Sequence, residues 1–447
     1  MPNQNIFCNS PWYELQIYWD GSFGICCQEA HKLYALDQQQ YNIATMTIAE
    51  WFNSDPVKKF RLRMLGDQTL TECKRCGHDE MLGGNSRRLK CNQKSVIFTR
   101  QAFDKSYNQS PGFKHFRHSL EHNGQTLTMP IDMHIDLGNY CNLACKMCKS
   151  SASSTFALQE VKWGIKSSQQ YIGSDWTRDS RVWEEFKQQL LEIPKLNNIH
   201  FMGGETLLTD KFEDLVDTFV AHKKFDVCFS FVTNGTSFNT KLLDKLKNFR
   251  RVGIEVSVET IDEHNAYQRQ GTNTAQVLEN IQRYKQYCNG TSITLALRPA
   301  PSILSIGYIV PLLEYALDNQ FIIKYNLCYS PKFMNAIYLP QNIKQMYKEK
   351  YLPLLDRLSN VNVNFDYNAS DLNNYPMVVK EIANVLIGLL NSETPDDSEL
   401  QLEALVRHCE KWDRVYGYDA RLLYPEWQEF LTRYNYDPTP SSVINFS

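Results

Sequence analysis

At 447 residues the chain is longer than one ordinary hydrophobic core requires, so one large domain with a smaller appendage is expected. A hydrophobic fraction of 43%, a charged fraction of 22% and a formal net charge of −3 exclude a disordered or strongly basic chain and give no sign of a nucleic-acid partner. No apolar stretch reaches membrane-spanning length and the start MPNQNIFCNS lacks the marks of a secretion signal, so a cytoplasmic protein with no membrane partner is expected.

The first ninety or so residues differ from the rest. Leu15, Ile17 and Trp19 alternate before an Asp20-Gly21 turn, and residues 23–26 continue extended, which predicts a β-hairpin. The glutamine-rich stretch 37–42 reads as a loop. Asp55-Pro56 opens a short helix with Val57, Phe60 and Met64 on one face and Gly66 at its end, and Cys73 and Cys76 follow on a turn. Residues 96–130 bridge to what comes next.

From Met133 short apolar runs alternate with amphipathic stretches, the pattern of βα units around a parallel sheet. Strands are predicted at 133–137, 199–202, 227–232, 253–258, 292–297 and 322–328, with helices at 181–191, 211–222, 241–248, 274–288 and 307–319. That is about six units, fewer than the eight of a closed barrel. Beyond Pro340 amphipathic helices are predicted at 341–358, 376–390 and 398–412. The fold class is therefore α/β, a partial (β/α)6 TIM-like barrel over 131–335, with a cysteine-rich hairpin and helix module at 1–95 and a helical C-terminal region at 336–447.

The chain has 13 cysteines and no export signal, and reduced cytosolic thiols point to metal ligation or redox chemistry rather than disulfides. Cys141, Cys145 and Cys148 lie on one loop after the first barrel strand, at the end where barrels place active sites. Three thiolates suit a [4Fe–4S] cluster that keeps one iron open for an exogenous ligand; a zinc site would ask for a fourth Cys or His nearby.

This spacing resembles the radical S-adenosylmethionine (SAM) superfamily. The resemblance implies that the open iron takes the amino and carboxylate groups of SAM and that its cleavage yields a 5′-deoxyadenosyl radical. The family usually has an aromatic residue before the third cysteine; here Met147 stands there, and its thioether can press against adenine. Met202-Gly203-Gly204-Glu205-Thr206 resembles the family's glycine-glycine-glutamate-proline motif, whose backbone and carboxylate face the SAM ammonium. Thr233, Asn234, Ser257 and Glu259 stand where the family meets the ribose and methionyl parts of SAM, and Arg298 where it often has a polar contact.

Cys8, the Asp20-Gly21 turn, Cys26 and the pair Cys73 and Cys76 resemble the cysteine hairpin of twitch and SPASM modules, which hold auxiliary clusters. Cys26 rather than Cys27 fits the family's spacing, and with the other three it makes a ligand set for one auxiliary [4Fe–4S] cluster; structural zinc is the alternative. Two clusters and SAM are thus the expected cofactors, with flavodoxin or ferredoxin as the kind of reducing partner.

Members with such a module frequently modify ribosomally made peptides, which implies a precursor peptide as substrate. Residues 405–427, with Trp412-Asp413-Arg414 and Tyr424-Pro425-Glu426, resemble the tail of twitch-type proteins that include peptide epimerases. The resulting expectation is removal of a Cα hydrogen and L-to-D epimerisation, with a cysteine thiol as hydrogen donor. The candidates are Cys409, slightly preferred, and Cys328 at the end of the sixth strand; a buried inert thiol is the competing reading of each. Peptide cross-linking or oxidation, a sugar or nucleoside dehydrogenase, and a zinc-binding interaction protein are the alternatives.

Overall fold

The computed structural model of the chain describes residues 7–28, 41–66, 68, 70–94, 111–173, 175–363 and 374–439, with the backbone alone at 93–94 and 111–114. Most of the expected glutamine-rich loop and residues 96–110 of the bridging segment lie outside the described residues. Ten strands occur among the described residues: β1 (Glu14–Ile17), β2 (Phe23–Gly24), β3 (Asp132–Asp136), β4 (Ala144–Cys145), β5 (Asn198–Met202), β6 (Cys228–Thr233), β7 (Arg251–Val256), β8 (Arg269–Gln270), β9 (Ile293–Leu297) and β10 (Ile322–Ile323). Eight of them form one sheet in the order β10-β9-β7-β6-β5-β3-β1-β2, and β4 pairs with β8 in a separate ribbon.

The six barrel strands β3, β5, β6, β7, β9 and β10 pair in parallel, as the βα pattern requires. Their outward side chains, among them Met133, Ile199, Phe229, Ile254 and Leu297, are buried against the helices. Many of the inward side chains are polar, beside Met202, Val232 and Ala296 on the same face. His134, His200, Ser230, Gly253 and Thr294 stand level across five strands, and His200 Nδ1 lies 2.8 Å from Ser230 Oγ. A closed barrel fills this space with branched apolar residues, whereas here the interior is hydrogen-bonded.

The sixth strand stops at Ile323, well short of the expected residue 328. The chain still runs beside its neighbour, with Asn326 N donating to Pro299 O and Cys328 N to Pro301 O. Pro299 and Pro301 have no N–H to return, so the ladder is half-made and the strand ends. Cys76 also departs from expectation: it lies within a helix, Lys74–Met81, rather than on a turn.

The predicted hairpin is present, with Gln16 opposite Gly24, but it is not set apart from the barrel. β1 pairs in parallel with β3 from Glu14 opposite Asp132 to Ile17 opposite Ile135, so main-chain hydrogen bonds cross the expected 130/131 boundary. Residues following the hairpin also reach the far end of the sheet. Arg87 forms an ion pair with Glu14 of β1, His78 Nδ1 lies 3.0 Å from Tyr329 Oη beyond β10, and Asn85 N donates to Glu381 Oε1 at 3.3 Å. The N-terminal residues therefore bridge the two edges that six strands leave open.

The C-terminal helices Gln341–Arg357, Tyr375–Asn391 and Ser398–Tyr416 follow the predicted pattern, the last ending at Gly417 in the left-handed conformation. No helix among the described residues is long and apolar enough to cross a membrane.

Leu15 is fully buried in β1. Replacing it with alanine is expected to cost about 3 kcal/mol and to lower one cooperative thermal transition for barrel and hairpin together. Two separated transitions by calorimetry would show that the hairpin melts independently.

Candidate active site

After β3 the chain enters the cysteine loop, which has little regular structure and is held from outside. Asn139 Nδ2 donates to Ser150 O at 3.0 Å and to Tyr171 O at 2.7 Å, tying the start of the loop to the segment that follows it. In the middle, Cys145 pairs with Arg269 in the β4–β8 ribbon and Lys146 N donates to Gln268 O at 2.8 Å. Cys148 N donates to Cys145 O at 2.8 Å, a tight turn that sets the third cysteine beside the second.

Cys141, Cys145 and Cys148 line one cavity of about 270 Å³. Burial, followed by the neighbouring sulfurs, pushes Cys141 and Cys148 up to about 12. Burial also raises Cys145, opposed by the guanidinium of Arg269. Three anions cannot share such a site without a cationic partner, and ligated iron supplies that charge and holds the thiols ionised. The lining contains no histidine and no fourth cysteine among the described residues. The donor set therefore fits a cluster with three protein ligands.

Gly203 and Gly204 form the edge of the cavity, with φ of 77° and 59°. A Cβ at residue 204 would lie 2.3 Å from Tyr140 O, and one at residue 203 would lie 2.7 Å from Gly138 O. Glu205 N donates to Tyr140 O at 2.7 Å and Gly204 N to Ala152 O at 3.2 Å. The glycines thus let this strand end press against the cysteine loop itself.

The Glu205 carboxylate accepts from Thr233 Oγ1 at 2.7 Å, Asn234 N at 2.6 Å and Leu207 N at 3.2 Å, joining the ends of β5 and β6. Burial raises its pKa, against these hydrogen bonds. Asn234 Nδ2 donates to Asn142 Oδ1 at 2.7 Å and so reaches the cysteine loop. Glu259 accepts from Ala300 N at 2.5 Å and pairs with Arg269 at 2.9 Å. Arg298 forms an ion pair with Glu255. Met147, Gly203, Gly204, Glu205, Thr233, Asn234, Ser257, Glu259 and Arg298 all line the cavity.

Arg269 also lines it and was not singled out from the sequence. Its guanidinium stays protonated despite burial because Cys145, Glu259 and Cys141 surround it. Only the β4–β8 pairing, between segments far apart in the chain, gives it this place.

Cys8, Cys26, Cys73 and Cys76 also come together. The Cys8 thiol is raised by burial and then, among other groups, by Cys73 and Cys76; the Cys26 thiol is raised by burial and then by several groups including Cys8 and Cys76. Cys27 instead faces Arg87 and Arg298, and the Cys91 thiol donates to Glu14 Oε1 at 3.1 Å. Among the described residues no three Cys, His, Asp or Glu side chains gather tightly enough to hold a single metal ion. A cluster, in which each sulfur binds a different iron, needs no such tight convergence.

Behind the cysteine loop, Lys146 is fully buried and pairs with the equally buried Asp413 at 3.1 Å. Its Nζ lies 2.9 Å from the centroid of the Tyr267 ring. Tyr267 and Tyr436 donate to the other Asp413 oxygen at 3.0 and 2.6 Å, and His408 Nε2 lies 2.9 Å from Lys146 O. Burial pushes Lys146 down to about 8, with Asp413 opposing. Cys409 sits in this cluster, 1% exposed, and burial pushes its thiol up to about 12. Cys328 is 8% exposed and likewise pushed up to about 12 by burial, with Glu259 adding to the effect. Neither sulfur belongs to the cavity lining.

Gly204→Ala is expected to push the cysteine loop out of register and reduce iron bound per chain after reconstitution to the level of one cluster. Full iron content by elemental analysis would contradict this. Asp413→Asn strands a buried ammonium and is expected to destabilise the protein by about 3–5 kcal/mol, read from denaturant unfolding; a change below about 1 kcal/mol would show that the pair does not hold the loop.

Comparison with known proteins agrees with this geometry. Residues 135–300 match the Radical SAM superfamily, and residues 8–77 match the SPASM iron–sulfur cluster-binding domain. No curated protein matches the chain in sequence. Among solved structures, Streptococcus suis SuiB bound to precursor peptide SuiA is 14% identical with a TM-score of 0.39, covering 68% of this chain and 64% of its own. Native anSMEcpe with bound AdoMet and Cp18Cys peptide is 18% identical with a TM-score of 0.34, covering 50% and 61%. The chain thus spans less than two thirds of either of these structures. The chain carries a radical SAM domain, which contains the three cysteines of the cavity, and a SPASM domain, which contains the four gathered cysteines.

Proposed function

We propose that this protein is a radical SAM enzyme that removes a hydrogen atom from the Cα of a residue in a ribosomally made peptide and inverts that residue from L to D. The observation that carries the enzymatic reading is a cavity that joins three cysteines, and no fourth among the described residues, to the Gly203-Gly204 edge and the polar ends of four strands. The peptide substrate rests on the SPASM domain at residues 8–77, a module frequent among peptide-modifying members of the superfamily.

In this reading Cys141, Cys145 and Cys148 hold the SAM-binding [4Fe–4S] cluster, and Cys8, Cys26, Cys73 and Cys76 hold an auxiliary one. Bound together, the first cluster and SAM supply a 5′-deoxyadenosyl radical. The chain's own side chains orient SAM. Met147 would hold the adenine, Thr233, Asn234 and Ser257 the ribose, and the Gly203-Gly204 backbone the methionyl group. Arg269, kept charged by Glu259 and the cysteines, would pair with the SAM carboxylate. Glu205, with three protein donors already on it, holds the strand ends together around the ligand.

Epimerisation requires a hydrogen atom delivered to the face opposite the one attacked. Cys328 is preferred as donor over Cys409, because Glu259 of the cavity wall acts on its thiol, whereas Cys409 is committed to the Lys146 cluster behind the loop. After donation the sulfur recovers its hydrogen as one electron and one proton, the electron coming from a reductant such as flavodoxin or ferredoxin.

Turnover in deuterated water tests this, using reconstituted protein and a precursor peptide from a neighbouring reading frame. One solvent deuteron is expected at the inverted Cα, lost in Cys328→Ala and retained in Cys409→Ala. The opposite result in the two variants would assign donation to Cys409. Loss of hydrogen without deuterium uptake would replace epimerisation by cross-linking or oxidation, and absence of SAM cleavage would end the enzymatic reading.

A further inference from the structure

The barrel wall next to the cavity carries an excess of positive charge. Glu255 points inward from β7 and is shared by two cations: Arg298 forms an ion pair with one oxygen, and Lys324 Nζ lies 2.5 Å from the other. From the opposite side of the interior, Arg87 forms an ion pair with Glu14 and lies 3.0 Å from His134 Nε2. Three cations therefore face two carboxylates, and Arg87 Nε is buried without a hydrogen-bond partner.

The cations act on one another. Burial, then Arg298, Arg251 and Arg87, pushes Lys324 down to about 7, and burial pushes Arg298 down to about 10, with Cys27 opposing and Arg87 adding to the effect. The wall is not sealed: the Lys324 and Arg298 side chains are 35% and 18% exposed. Arg298 and Asn326 line the same cavity as the three cysteines, so this basic wall continues the SAM site. A half-buried surplus of positive charge is stabilised by an arriving anion, and guanidinium groups present paired donors suited to a carboxylate.

We propose that Arg298, Lys324 and Arg87 form a subsite that binds a carboxylate of the peptide substrate beside the SAM cavity. The identity of the ligand as a peptide rests on the function proposed above; the charge of the subsite does not. The carboxylate belongs either to an Asp or Glu side chain or to the C-terminus of the peptide, and recognition is the same chemistry in both. An anion held here raises Lys324 again, which gives a readout independent of turnover.

Trace acetylation followed by mass spectrometry measures the nucleophilic, neutral fraction of Lys324. The reconstituted protein with SAM is labelled over a pH series, alone or with one of three capped probes. Acetyl-glutamate amide offers a side-chain carboxylate, acetyl-alanine a terminal one, and acetyl-glutamine amide neither. Labelling of Lys324 without a probe is expected to reach half its maximum near pH 7. At least one carboxylate probe is expected to reduce labelling at pH 7 by about fivefold, the effect of a shift of about one pKa unit on a group that is half neutral there, and the glutamine probe to leave it unchanged. Which carboxylate probe protects identifies the source. Equal protection by the glutamine probe, or none by any probe, would overturn the subsite. Protection in a protein that modifies no peptide would uphold the subsite and remove the peptide reading, whereas peptide modification without protection would do the reverse.

Discussion

Everything at the candidate active site depends on a loop that cannot hold its own shape. Between Leu137 and Ser150 the chain forms only one two-residue strand, yet it must direct three sulfurs into one space. Its conformation is imposed by three surfaces. The Gly203-Gly204 edge presses from the barrel side, the Arg269 strand pairs along Cys145, and the buried Lys146–Asp413 pair secures it from behind. The last contact is the costly one, since a lysine with no exposed surface is tolerated only with a carboxylate and aromatic rings around it. The C-terminal helix Ser398–Tyr416 therefore belongs to the architecture of the site, although none of its residues lines the cavity.

The same economy appears in the N-terminal residues. Six strands leave a barrel open at its side, and an exposed sheet edge and a polar interior would both meet water there. The hairpin extends the sheet beyond β3, while the following residues contact the structure beyond β10 through His78 and Asn85. One segment thus gathers Cys8, Cys26, Cys73 and Cys76 and also contributes Arg87 to the barrel interior. The two cysteine sets are held by a shared sheet.

What could be read from the sequence was what is local. The three-cysteine spacing, the Gly203-Gly204-Glu205 turn and the six βα units each lie within a short window whose residue types imply their own geometry. Residues that depend on distant partners were invisible. Arg269 has no motif of its own and acquires its role through antiparallel pairing with Cys145. Lys146 stands between two cysteines in the sequence, and only the fold brings Asp413 of the C-terminal helix to it. The parallel pairing of β1 with β3 is similarly hidden, because a hairpin reads the same whether it stands alone or extends a sheet. Cys409 drew attention by its neighbours in sequence, and its burial against Lys146 and Tyr267 is set by packing that no local pattern encodes. Only the early end of the sixth strand was within reach, through the two prolines opposite it.

Iron-57 Mössbauer spectroscopy of the reconstituted protein, with and without SAM, tests most directly the claim that the loop leaves one metal position to an incoming ligand. Addition of SAM is expected to change the signal of a single iron in one four-iron cluster and to leave the other cluster as it was. A spectrum unaltered by SAM, or a protein that retains no iron through Cys141, Cys145 and Cys148, would contradict the account.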